Sequence, residues 1–405
     1  MSKVITDKDR IDAVLTRGVE NIYPDKASAQ KVLASGNRLR IYCGYDPTAP
    51  SLHIGNAITI NKLSQLQDLG HEIIFLIGDF TATIGDPTDK LAARKKLTRK
   101  EVLANAKNYQ KQASAYLEFS GTNPAKIMHN SRWLDKMTFK DLIETASNFT
   151  VGQMMVRDMF QERIKQDKPI FLHEFLYPLA QAIDSVAMDV DMEVGGNDQT
   201  FNMLCGRDLL KATKNKEKFV LTLKLLVDDA GKKMGKTEGN MVNLDETPEN
   251  MYGKVMSWPD GVIVVGLELC TKLPMAEVEA ARQALKAGIN PRDLKMKLAF
   301  EITKLVHGKK GGEAAQEHFV RTIQKKEAPT EVRSMKYEVR SLSIVELLVN
   351  TGLAASKSEA RRLVEQGGIR IDGAVVKDAK AEIDLTKERL LQRGKLQFVK
   401  AVFNS

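Results

Sequence analysis

The sequence predicts an α/β fold, followed by a helical region and a small α+β unit. Over the first ~230 residues, short apolar runs alternate with amphipathic runs, which is typical of a parallel sheet with crossover helices. From residue 244 to residue 326, apolar residues recur at three- and four-residue spacing, which predicts helices. The end of the chain combines two short helical patterns with a hairpin pattern. We therefore expect domains over residues 1–240, 241–328 and 342–405, with a linker over 329–341.

The strongest evidence for the parallel sheet lies near the start. Residues 39–44 predict a strand that ends in a loop, residues 55–69 the following helix, and residues 72–77 the next strand. This strand–loop–helix–strand unit is typical of the first half of a Rossmann-type fold. Residues 192–194, directly before Gly195 and Gly196, predict another central strand.

The terminal unit is predicted from its caps and turns. Residues 344–349 predict a short helix, and Ser356 an N-cap for a second helix that stops at Gly367 and Gly368. Residues 369–376, with Asp372-Gly373 at their centre, predict a hairpin.

Length and composition exclude several protein classes. The chain has 405 residues, of which 43% are hydrophobic and 28% charged, so it is neither collagen-like, nor low-complexity, nor a disulfide-stapled miniprotein. We expect two or three domains, since one core rarely grows this large. No apolar run approaches the roughly 20 residues that cross a bilayer, and the polar first residues do not resemble a secretory signal.

The cysteines and the net charge bear on the cellular compartment of the protein and on the type of partner that it binds. Cys43, Cys205 and Cys270 are odd in number and far apart, which favours a reducing compartment and disfavours a zinc site. We therefore expect the protein in the cytoplasm. The formal net charge of +9, from 61 Lys+Arg against 52 Asp+Glu, suits a polyanionic partner but also many ordinary proteins.

The first chemical motif spans residues 47–56, at a predicted strand-to-helix junction. A helix N-terminus presents unpaired N–H groups that suit phosphate, Gly55 permits close approach of a ligand, and His53 can donate to a phosphate oxygen. The alternative is that His53 is an N-terminal helix residue whose ring is hydrogen-bonded within the protein and binds no ligand.

The second motif spans residues 230–240. Lys233 and Lys236, bracketed by glycines, predict a cationic loop that closes on a triphosphate and stabilises departing pyrophosphate. The alternative is a solvated lysine loop, and the presence of the first motif favours the phosphate interpretation.

Together, the two motifs resemble the HIGH and KMSKS sequences of class I aminoacyl-tRNA synthetases, and the match is closest to the tyrosyl-tRNA synthetases. Residues 42–48, 84–88, 177–184 and 195–199 fit that family in order and spacing. The HIGH-like motif comprises Pro47, His53, Ile54, Gly55 and Asn56, and the KMSKS-like motif comprises Lys233, Met234, Gly235, Lys236 and Thr237. Asn56, Gly235 and Thr237 depart from the motif names, and Tyr45 stands where phenylalanine is common. The unit from residue 342 resembles an S4-type RNA-binding domain.

The resemblance implies a tyrosine site. Positions 177, 181 and 184 share one helix face. By resemblance, Tyr177 and Gln181 hold the ammonium group with Asp86 as countercharge, Tyr42 and Asp184 bind the phenolic hydroxyl, and Gln199 lies by the reacting carboxylate. The alternative is that this helix face packs into the hydrophobic core. Burial of an Asp and a Gln without hydrogen-bond partners would, however, destabilise the folded protein.

The resemblance also implies ATP and RNA sites. The expected ATP-binding residues are Cys43, Gly44, Asp46, Thr48, His53, Gly55, Asn56, Thr59, Gly196, Asp198, Lys233 and Lys236. Of these, Thr48, His53, Lys233 and Lys236 would contact the phosphates. Lys90 and Arg94 are expected as further pyrophosphate clamps, with a solvated lysine run as the alternative. Mg²⁺ is expected with ATP rather than in a protein cage. The expected RNA-binding residues are Lys357, Arg361, Arg362 and Arg370.

The function implied is that of a tyrosine–tRNA ligase, with tyrosine, ATP and tRNA(Tyr) as substrates and a homodimer as the assembly. One alternative is an RNA-binding or RNA-folding protein on the same scaffold. Another is a ligase for tryptophan, which Tyr42 and Asp184 disfavour because an indole offers one donor and no acceptor.

Overall fold

The chain folds as two units, Met1–Gly312 and Glu313–Ser405, in the computed structural model. The structure describes residues 3–86, 97–227, 241–324, 334–394 and 397–403. None of the helices in these ranges is both long and apolar enough to cross a membrane.

The first unit contains a six-stranded sheet and most of the helices. Its strands are β1 (Val19–Tyr23), β2 (Arg40–Tyr45), β3 (Glu72–Ile77), β4 (Lys126–His129), β5 (Met192–Gly196) and β6 (Phe219–Leu223). The helices up to residue 214 are α1 (Lys8–Thr16), α2 (Lys26–Leu33), α3 (Ile54–Asp68), α4 (Thr81–Ile84), α5 (Arg99–Ala106), α6 (Tyr109–Ala113), α7 (Ser131–Leu134), α8 (Phe139–Ala146), α9 (Val151–Met155), α10 (Asp158–Lys165), α11 (His173–Met188) and α12 (Thr200–Lys214). The helices that begin between residues 248 and 291 are α13 (Pro248–Met256), α14 (Ile263–Cys270), α15 (Met275–Lys286) and α16 (Pro291–Phe319). The last of these has a kink at Gly308, and its residues 313–319 belong to the second unit. Short 3-10 helices of this unit are Asn197–Gln199 and Asp260–Val262, whereas the π-helix Val320–Gln324 belongs to the second unit.

The sheet confirms the predicted α/β fold. Its strand order is β1-β6-β5-β2-β3-β4, with β2 to β6 parallel and only the edge strand β1 antiparallel. The strand predicted over 72–77 has the ends that the structure gives to β3, and the first predicted strand is shifted by one residue, to Arg40–Tyr45.

The topology places a crevice at the centre of the sheet. From β2, the chain crosses to β3 on one side, whereas β5 pairs with the other side of β2. In open parallel sheets, ligands bind where the strand order reverses, at the carboxyl ends of the strands. The turns that begin at Asp46, Gly78 and Asn197 follow β2, β3 and β5, and they meet at this edge.

A short antiparallel contact holds the start of α3. The N–H of Ile54 donates to the carbonyl of Val242 at 2.9 Å, and the N–H of Leu244 donates to that of Leu52 at 2.8 Å. The chain that follows residues 228–240 is therefore fixed beside the first motif.

The second unit has its own core and sheet. Its strands are β7 (Ser334–Tyr337), β8 (Ser341–Ser343), β9 (Ile369–Ile371), β10 (Ala374–Val375), β11 (Glu382–Asp384), β12 (Arg389–Arg393) and β13 (Gln397–Phe403), and its helices are α17 (Ile344–Asn350) and α18 (Lys357–Glu365). The main sheet has the order β10-β9-β12-β13-β7, and β8 pairs with β11. Ser356 caps α18 by accepting from the N–H of Glu359, and the hairpin lies where it was predicted.

The segment predicted as a linker differs from that expectation. Ser334–Tyr337 lies within residues 329–341, yet it pairs in parallel with β13 because Met335 and Tyr337 pack against the core of this unit.

Candidate active site

A cleft of about 310 Å³ opens at the crevice between the carboxyl ends of β2 and β5. It gathers predicted residues that are far apart in sequence. The predicted residues in its wall are Tyr42, Cys43, Gly44, Asp46, Thr48, His53, Gly55, Asn56, Thr59, Asp86, Tyr177, Gln181, Asp184, Gly196, Asp198 and Gln199.

Other predicted residues lie elsewhere. Ile54 is buried, and the Pro47 carbonyl accepts from the Asn105 amide at 3.0 Å. Lys90, Arg94, Lys233, Met234, Gly235, Lys236 and Thr237 lie outside the described residues. Lys357, Arg361, Arg362 and Arg370 belong to the second unit, where all four are exposed.

His53 is the N-cap of α3, at one end of the cleft. Its Nδ1 accepts from the Gly55 N–H at 3.1 Å, and the His53 N–H donates to Oδ1 of Asn56 at 3.0 Å. Because Nδ1 accepts, the neutral ring carries its proton on Nε2 and offers an N–H donor. A Cβ on residue 55 would lie 3.0 Å from two ring atoms, so a glycine lets the ring fold over the helix end. The first motif thus joins a side-chain donor to a helix N-terminus, a pair that suits an anion.

Asp184 lies at the opposite end, on α11. It is 2% exposed, and its two oxygens accept from Nε1 of Trp133 at 2.7 Å and from Nδ2 of Asn130 at 3.3 Å. Burial raises the pKa of this carboxyl well above its ordinary value, although both hydrogen bonds oppose that rise.

Tyr42 comes from β2 and reaches the same end. Its side chain is 0% exposed, and its hydroxyl lies 2.9 Å from Oγ of Ser185. Burial, with the nearby carboxyls of Glu193 and Asp184, raises the pKa of Tyr42 well above its ordinary value. The phenol therefore keeps its proton and provides a neutral hydroxyl next to the Asp184 carboxyl.

Tyr177 contacts a residue that was predicted for ATP. Its hydroxyl donates to Oδ2 of Asp46 at 3.0 Å, and Oγ1 of Thr81 donates to Oδ1 at 2.7 Å. A Cβ on Gly78 would lie 1.9 Å from Oδ1 of Asp46, so this position requires glycine. Asp46, which directly follows β2, thus connects to α4 through Thr81 and to α11 through Tyr177.

Asp86 and Gln199 contact each other directly. Nε2 of Gln199 donates to Oδ2 of Asp86 at 2.6 Å, and the Arg157 guanidinium lies 3.9 Å from Oδ1. Arg157 is held between Phe160 and Phe201, with centroid distances of 5.4 and 5.0 Å. Burial lowers the pKa of Arg157, and Asp86 opposes that change.

Glu193 fixes the orientation of the Gln181 side chain. Its Nε2 donates to Oε1 of Glu193 at 2.9 Å, and this leaves the amide oxygen as the acceptor on the other side. Lys218 in turn donates to Glu193 and, at 2.9 Å, to Oγ of Ser185.

The wall between the two ends is formed by β2, α3 and β5. The hydroxyls of Tyr45 and Thr59 lie 3.0 Å apart, and Thr59 donates to the Asn56 carbonyl at 2.9 Å. Burial raises the pKa of Cys43 to about 12, so this thiol stays neutral. At Gly196, a Cβ would lie 2.6 Å from Oδ1 of Asp198, so glycine lets the backbone border the cleft.

Sequence reasoning missed several residues around the cleft. These are Asn130, Trp133, Arg157, Ser185, Glu193 and Lys218. Asn130 and Trp133 could have been found because they follow β4 at the carboxyl edge of the sheet. The sequence around Lys218 does not predict that this residue is buried beside the cleft, since an isolated lysine is usually solvated.

The arrangement suits an elongated ligand. A buried carboxyl and phenol can bind a hydroxyl at one end, and amide and carboxyl groups can bind an ammonium and a carboxylate in the middle. The helix end with His53 can bind phosphate. No cluster of three His, Cys, Asp or Glu that could hold a metal occurs in the described ranges.

Comparison with known proteins agrees with this geometry. The family model "tRNA synthetases class I (W and Y)" matches residues 34–324, and the model "Tyrosine--tRNA ligase SYY-like C-terminal domain" matches residues 324–399. The tyrosine--tRNA ligase of Thermotoga maritima is 44% identical over 387 residues, or 95% of each chain. That of Haemophilus ducreyi is 42% identical over 393 residues, or 97% of this chain and 98% of its own.

Solved structures share the fold. The C-terminally truncated mitochondrial tyrosyl-tRNA synthetase of Coccidioides posadasii has a TM-score of 0.62 at 25% identity, over 76% of this chain and 91% of its own. The Archaeoglobus fulgidus tyrosyl-tRNA synthetase complexed with L-tyrosine has a TM-score of 0.59 at 21% identity, over 76% of this chain and 100% of its own.

These matches confirm the resemblance seen in the sequence. The first family model spans most of the chain, and the bacterial relatives match it over nearly its whole length. The chain belongs to the class I tRNA synthetases of the W and Y type and, within that family, to the tyrosine--tRNA ligases.

Proposed function

We propose that the protein activates L-tyrosine with ATP and transfers the tyrosyl group to the 3′ end of tRNA(Tyr). The observation that carries this proposal is the cleft itself. It offers the buried Tyr42 hydroxyl and Asp184 carboxyl at one end and the N-terminus of α3, with His53, at the other. A tyrosyl-adenylate presents a phenol, an ammonium and a phosphate in that order, so its chemistry complements the cleft.

The tyrosine would lie with its hydroxyl between Tyr42 and Asp184. Tyr42 supplies a donor and Asp184 an acceptor, so a phenol satisfies both. Tyr177, Gln181 and Asp86 would hold the ammonium group. The Glu193 contact supports this role for Gln181, because it turns the amide oxygen away from Glu193.

ATP would occupy the rest of the cleft. Cys43, Thr59, Gly196 and Asp198 would border the ribose, with Gln199 by the reacting carboxylate. Thr48, His53, Lys233 and Lys236 would contact the β- and γ-phosphates, with Lys90 and Arg94 as further clamps. Gly44, Asp46, Gly55 and Asn56 complete the wall. Mg²⁺ would enter as part of the Mg·ATP substrate.

Activation needs no covalent enzyme intermediate. A tyrosine carboxylate oxygen attacks the α-phosphorus, the bond to the bridging oxygen breaks, and pyrophosphate leaves with that electron pair. The protein's contribution is to align the two substrates and to stabilise the charge that develops on the phosphates. The neutral Cys43 thiol is consistent with this, since the nucleophile belongs to the substrate.

Both flanks of the lysine segment support its role. Leu225 and Leu226, which precede residues 228–240, line the cleft, and Val242 and Leu244 bond to the segment around His53. Because both flanks of residues 228–240 border the cleft or the segment around His53, Lys233 and Lys236 would contact phosphates bound near His53.

The second unit would bind tRNA. Arg361 and Arg362 lie on α18 and Arg370 on β9, and all are exposed. Exposed arginines and lysines suit contacts with phosphates of structured RNA.

A homodimer in the cytoplasm is the expected state. Several large apolar side chains between residues 139 and 172 are exposed, including Phe139 at 77%, Val151 at 78% and Leu172 at 79%. Clusters of exposed apolar residues usually mark contacts with another protein. Sedimentation of the wild type and of Leu172→Lys tests this expectation, since the charge should shift a dimer toward monomer.

An ATP–pyrophosphate exchange assay tests the proposed activity. Purified protein is given tyrosine, phenylalanine or tryptophan in turn, and exchange should depend on tyrosine. Exchange that responds to tryptophan instead would reassign the substrate. Binding of RNA without exchange for any of the three would favour an RNA-binding role on the same scaffold.

A further inference from the structure

A buried lysine lies behind the tyrosine end of the cleft. Lys218 is 0% exposed, and its Nζ donates to Oε2 of Glu193 and, at 2.9 Å, to Oγ of Ser185. Ser185 is itself 0% exposed, and its Oγ lies 2.9 Å from the hydroxyl of Tyr42. A chain of contacts therefore runs from Lys218 through Ser185 to the cleft.

The chemistry of these groups sets the direction of each hydrogen bond. An ammonium group only donates, so Oγ of Ser185 accepts from Lys218. The ammonium group that donates to that oxygen favours donation of the serine proton, and the Tyr42 hydroxyl lies 2.9 Å away as an acceptor. Tyr42 then accepts from Ser185, so its own proton is directed away from Ser185.

The backbone makes room for this arrangement. Gly206 of α12 packs against both groups, and a Cβ there would lie 2.6 Å from Nζ of Lys218 and 2.6 Å from Oγ of Ser185. Glu193 balances the buried charge and also holds Gln181. The contacts that fix the lysine are thus complete without any ligand.

We propose that Lys218 is a positioning residue that fixes the Tyr42 hydroxyl as a hydrogen-bond donor toward the substrate. This inference rests on the proposed function, because it requires the para group of an amino acid to lie beside Tyr42. With Tyr42 donating and Asp184 accepting, this end of the cleft selects a para group that both accepts and donates. A phenol does both, whereas the amino group of 4-aminophenylalanine donates well but accepts poorly, since its lone pair is delocalised into the ring.

The experiment compares tyrosine and 4-aminophenylalanine in ATP–pyrophosphate exchange, as the ratio of their kcat/KM values. In Lys218→Met, Ser185 is free to accept from Tyr42, so Tyr42 loses its fixed donor orientation. The ratio should fall about 2- to 13-fold, the factor that corresponds to one neutral hydrogen bond. Effects of a substitution on the ammonium and ATP contacts cancel in this ratio, since both amino acids make the same contacts.

Two further variants complete the test: one avoids an unpaired buried charge that could prevent folding, and the other is a matched control. Lys218→Met combined with Glu193→Gln removes both buried charges, so no unpaired charge remains, and the ratio should fall as in the single variant. Lys216→Met removes a neighbouring lysine that pairs with Asp191 near the surface, and the ratio should stay at the wild-type value.

Ser185→Ala separates a proton-directing role from a merely structural one. Added to the variant that combines Lys218→Met with Glu193→Gln, it removes the serine acceptor while no unpaired Glu193 carboxylate remains, so Tyr42 again donates to the substrate and the ratio should recover. A ratio that stays at the wild-type value in the folded Lys218 variants would overturn the proposal, as would a fall that Ser185→Ala does not reverse. If the wild type itself gave no tyrosine-dependent exchange, the proposed function would fail instead.

Discussion

The backbone N–H of Ile54 donates to the carbonyl oxygen of Val242 at 2.9 Å. Ile54 begins α3, directly after the His53 cap, and Val242 follows the segment that carries Lys233 and Lys236. This bond holds Val242, which follows the second motif in sequence, beside the first motif, although the two motifs are separated by ~180 residues. It gives a physical reason why both motifs should act on the same phosphates.

Replacing Lys233 or Lys236 by alanine should slow adenylate formation by about 10²–10³, the usual effect of one lost charge-stabilising contact in a transition state. Tyrosine affinity should change little, because the ammonium groups meet charge that develops during the reaction. Rapid-quench kinetics and equilibrium tyrosine binding measure the two effects separately. Lys286→Ala, at an exposed lysine of α15, is the control. Weaker tyrosine binding with an unchanged chemical step would remove the lysines from the phosphate site.

Replacing Tyr42 by phenylalanine should reduce discrimination between tyrosine and phenylalanine. The expected loss is about 0.5–1.5 kcal/mol, the value of one neutral hydrogen bond. The measurement is the ratio of kcat/KM values in pyrophosphate exchange. Tyr116→Phe alters a tyrosine that is also buried but does not line the cleft, and it should leave discrimination unchanged. Equal ratios for the wild type and the Tyr42 variant would contradict the assignment.

Asp184 should destabilise the ligand-free protein as pH rises. Burial raises the pKa of its carboxyl in the folded state, so the unfolded chain releases this proton first, near its ordinary value of about 3.9. The unfolded state then binds fewer protons, and the free energy of unfolding falls with pH above that value. Asp184→Asn lacks this loss, so its stability relative to the wild type should increase from about pH 4 upward. Denaturant unfolding at a series of pH values measures the difference.

Asp189, at the end of the same helix, provides a control of opposite sign. Partial burial raises its pKa, but the ammonium groups of Lys216 and Lys214 prevail and lower it. Its carboxylate therefore adds stability above its unfolded pKa, and Asp189→Asn should lose stability relative to the wild type as pH rises. The same pH trend in both variants would contradict the raised pKa of the buried Asp184 carboxyl.

Much of this fold could be predicted because its sequence patterns are local. The apolar run of β3, the cap at Ser356 and the Asp372-Gly373 turn each depend on neighbouring residues, and all three appear in the structure. Cleft residues were found where a motif marked them. Lys218 could not be found in this way, because its burial depends on Glu193, Ser185 and the space at Gly206, which only the folded chain brings together.

Removing positive charge from α18 should weaken tRNA binding and leave tyrosine activation intact. For Arg361→Ala and Arg362→Ala, each lost phosphate contact should reduce the slope of log affinity against log salt by roughly 0.7–0.9. Filter binding of tRNA(Tyr) over a salt series measures the slope, alongside pyrophosphate exchange. Arg292→Ala, which removes an exposed arginine beside Asp293 in the first unit, is the control. Unchanged slopes for both α18 variants would remove these arginines from the RNA surface.

Charging of tRNA with labelled amino acid measures tyrosine–tRNA ligase activity most directly. Unmodified tRNA(Tyr) and tRNA(Trp) transcripts are incubated with the wild-type protein, Mg·ATP, and labelled tyrosine or tryptophan in each combination. Label should enter only tRNA(Tyr) with tyrosine, and Lys233→Ala should abolish that incorporation at the enzyme concentrations used. Charging of tRNA(Trp) with tryptophan, or no charging by a protein that binds both substrates, would contradict the proposed function.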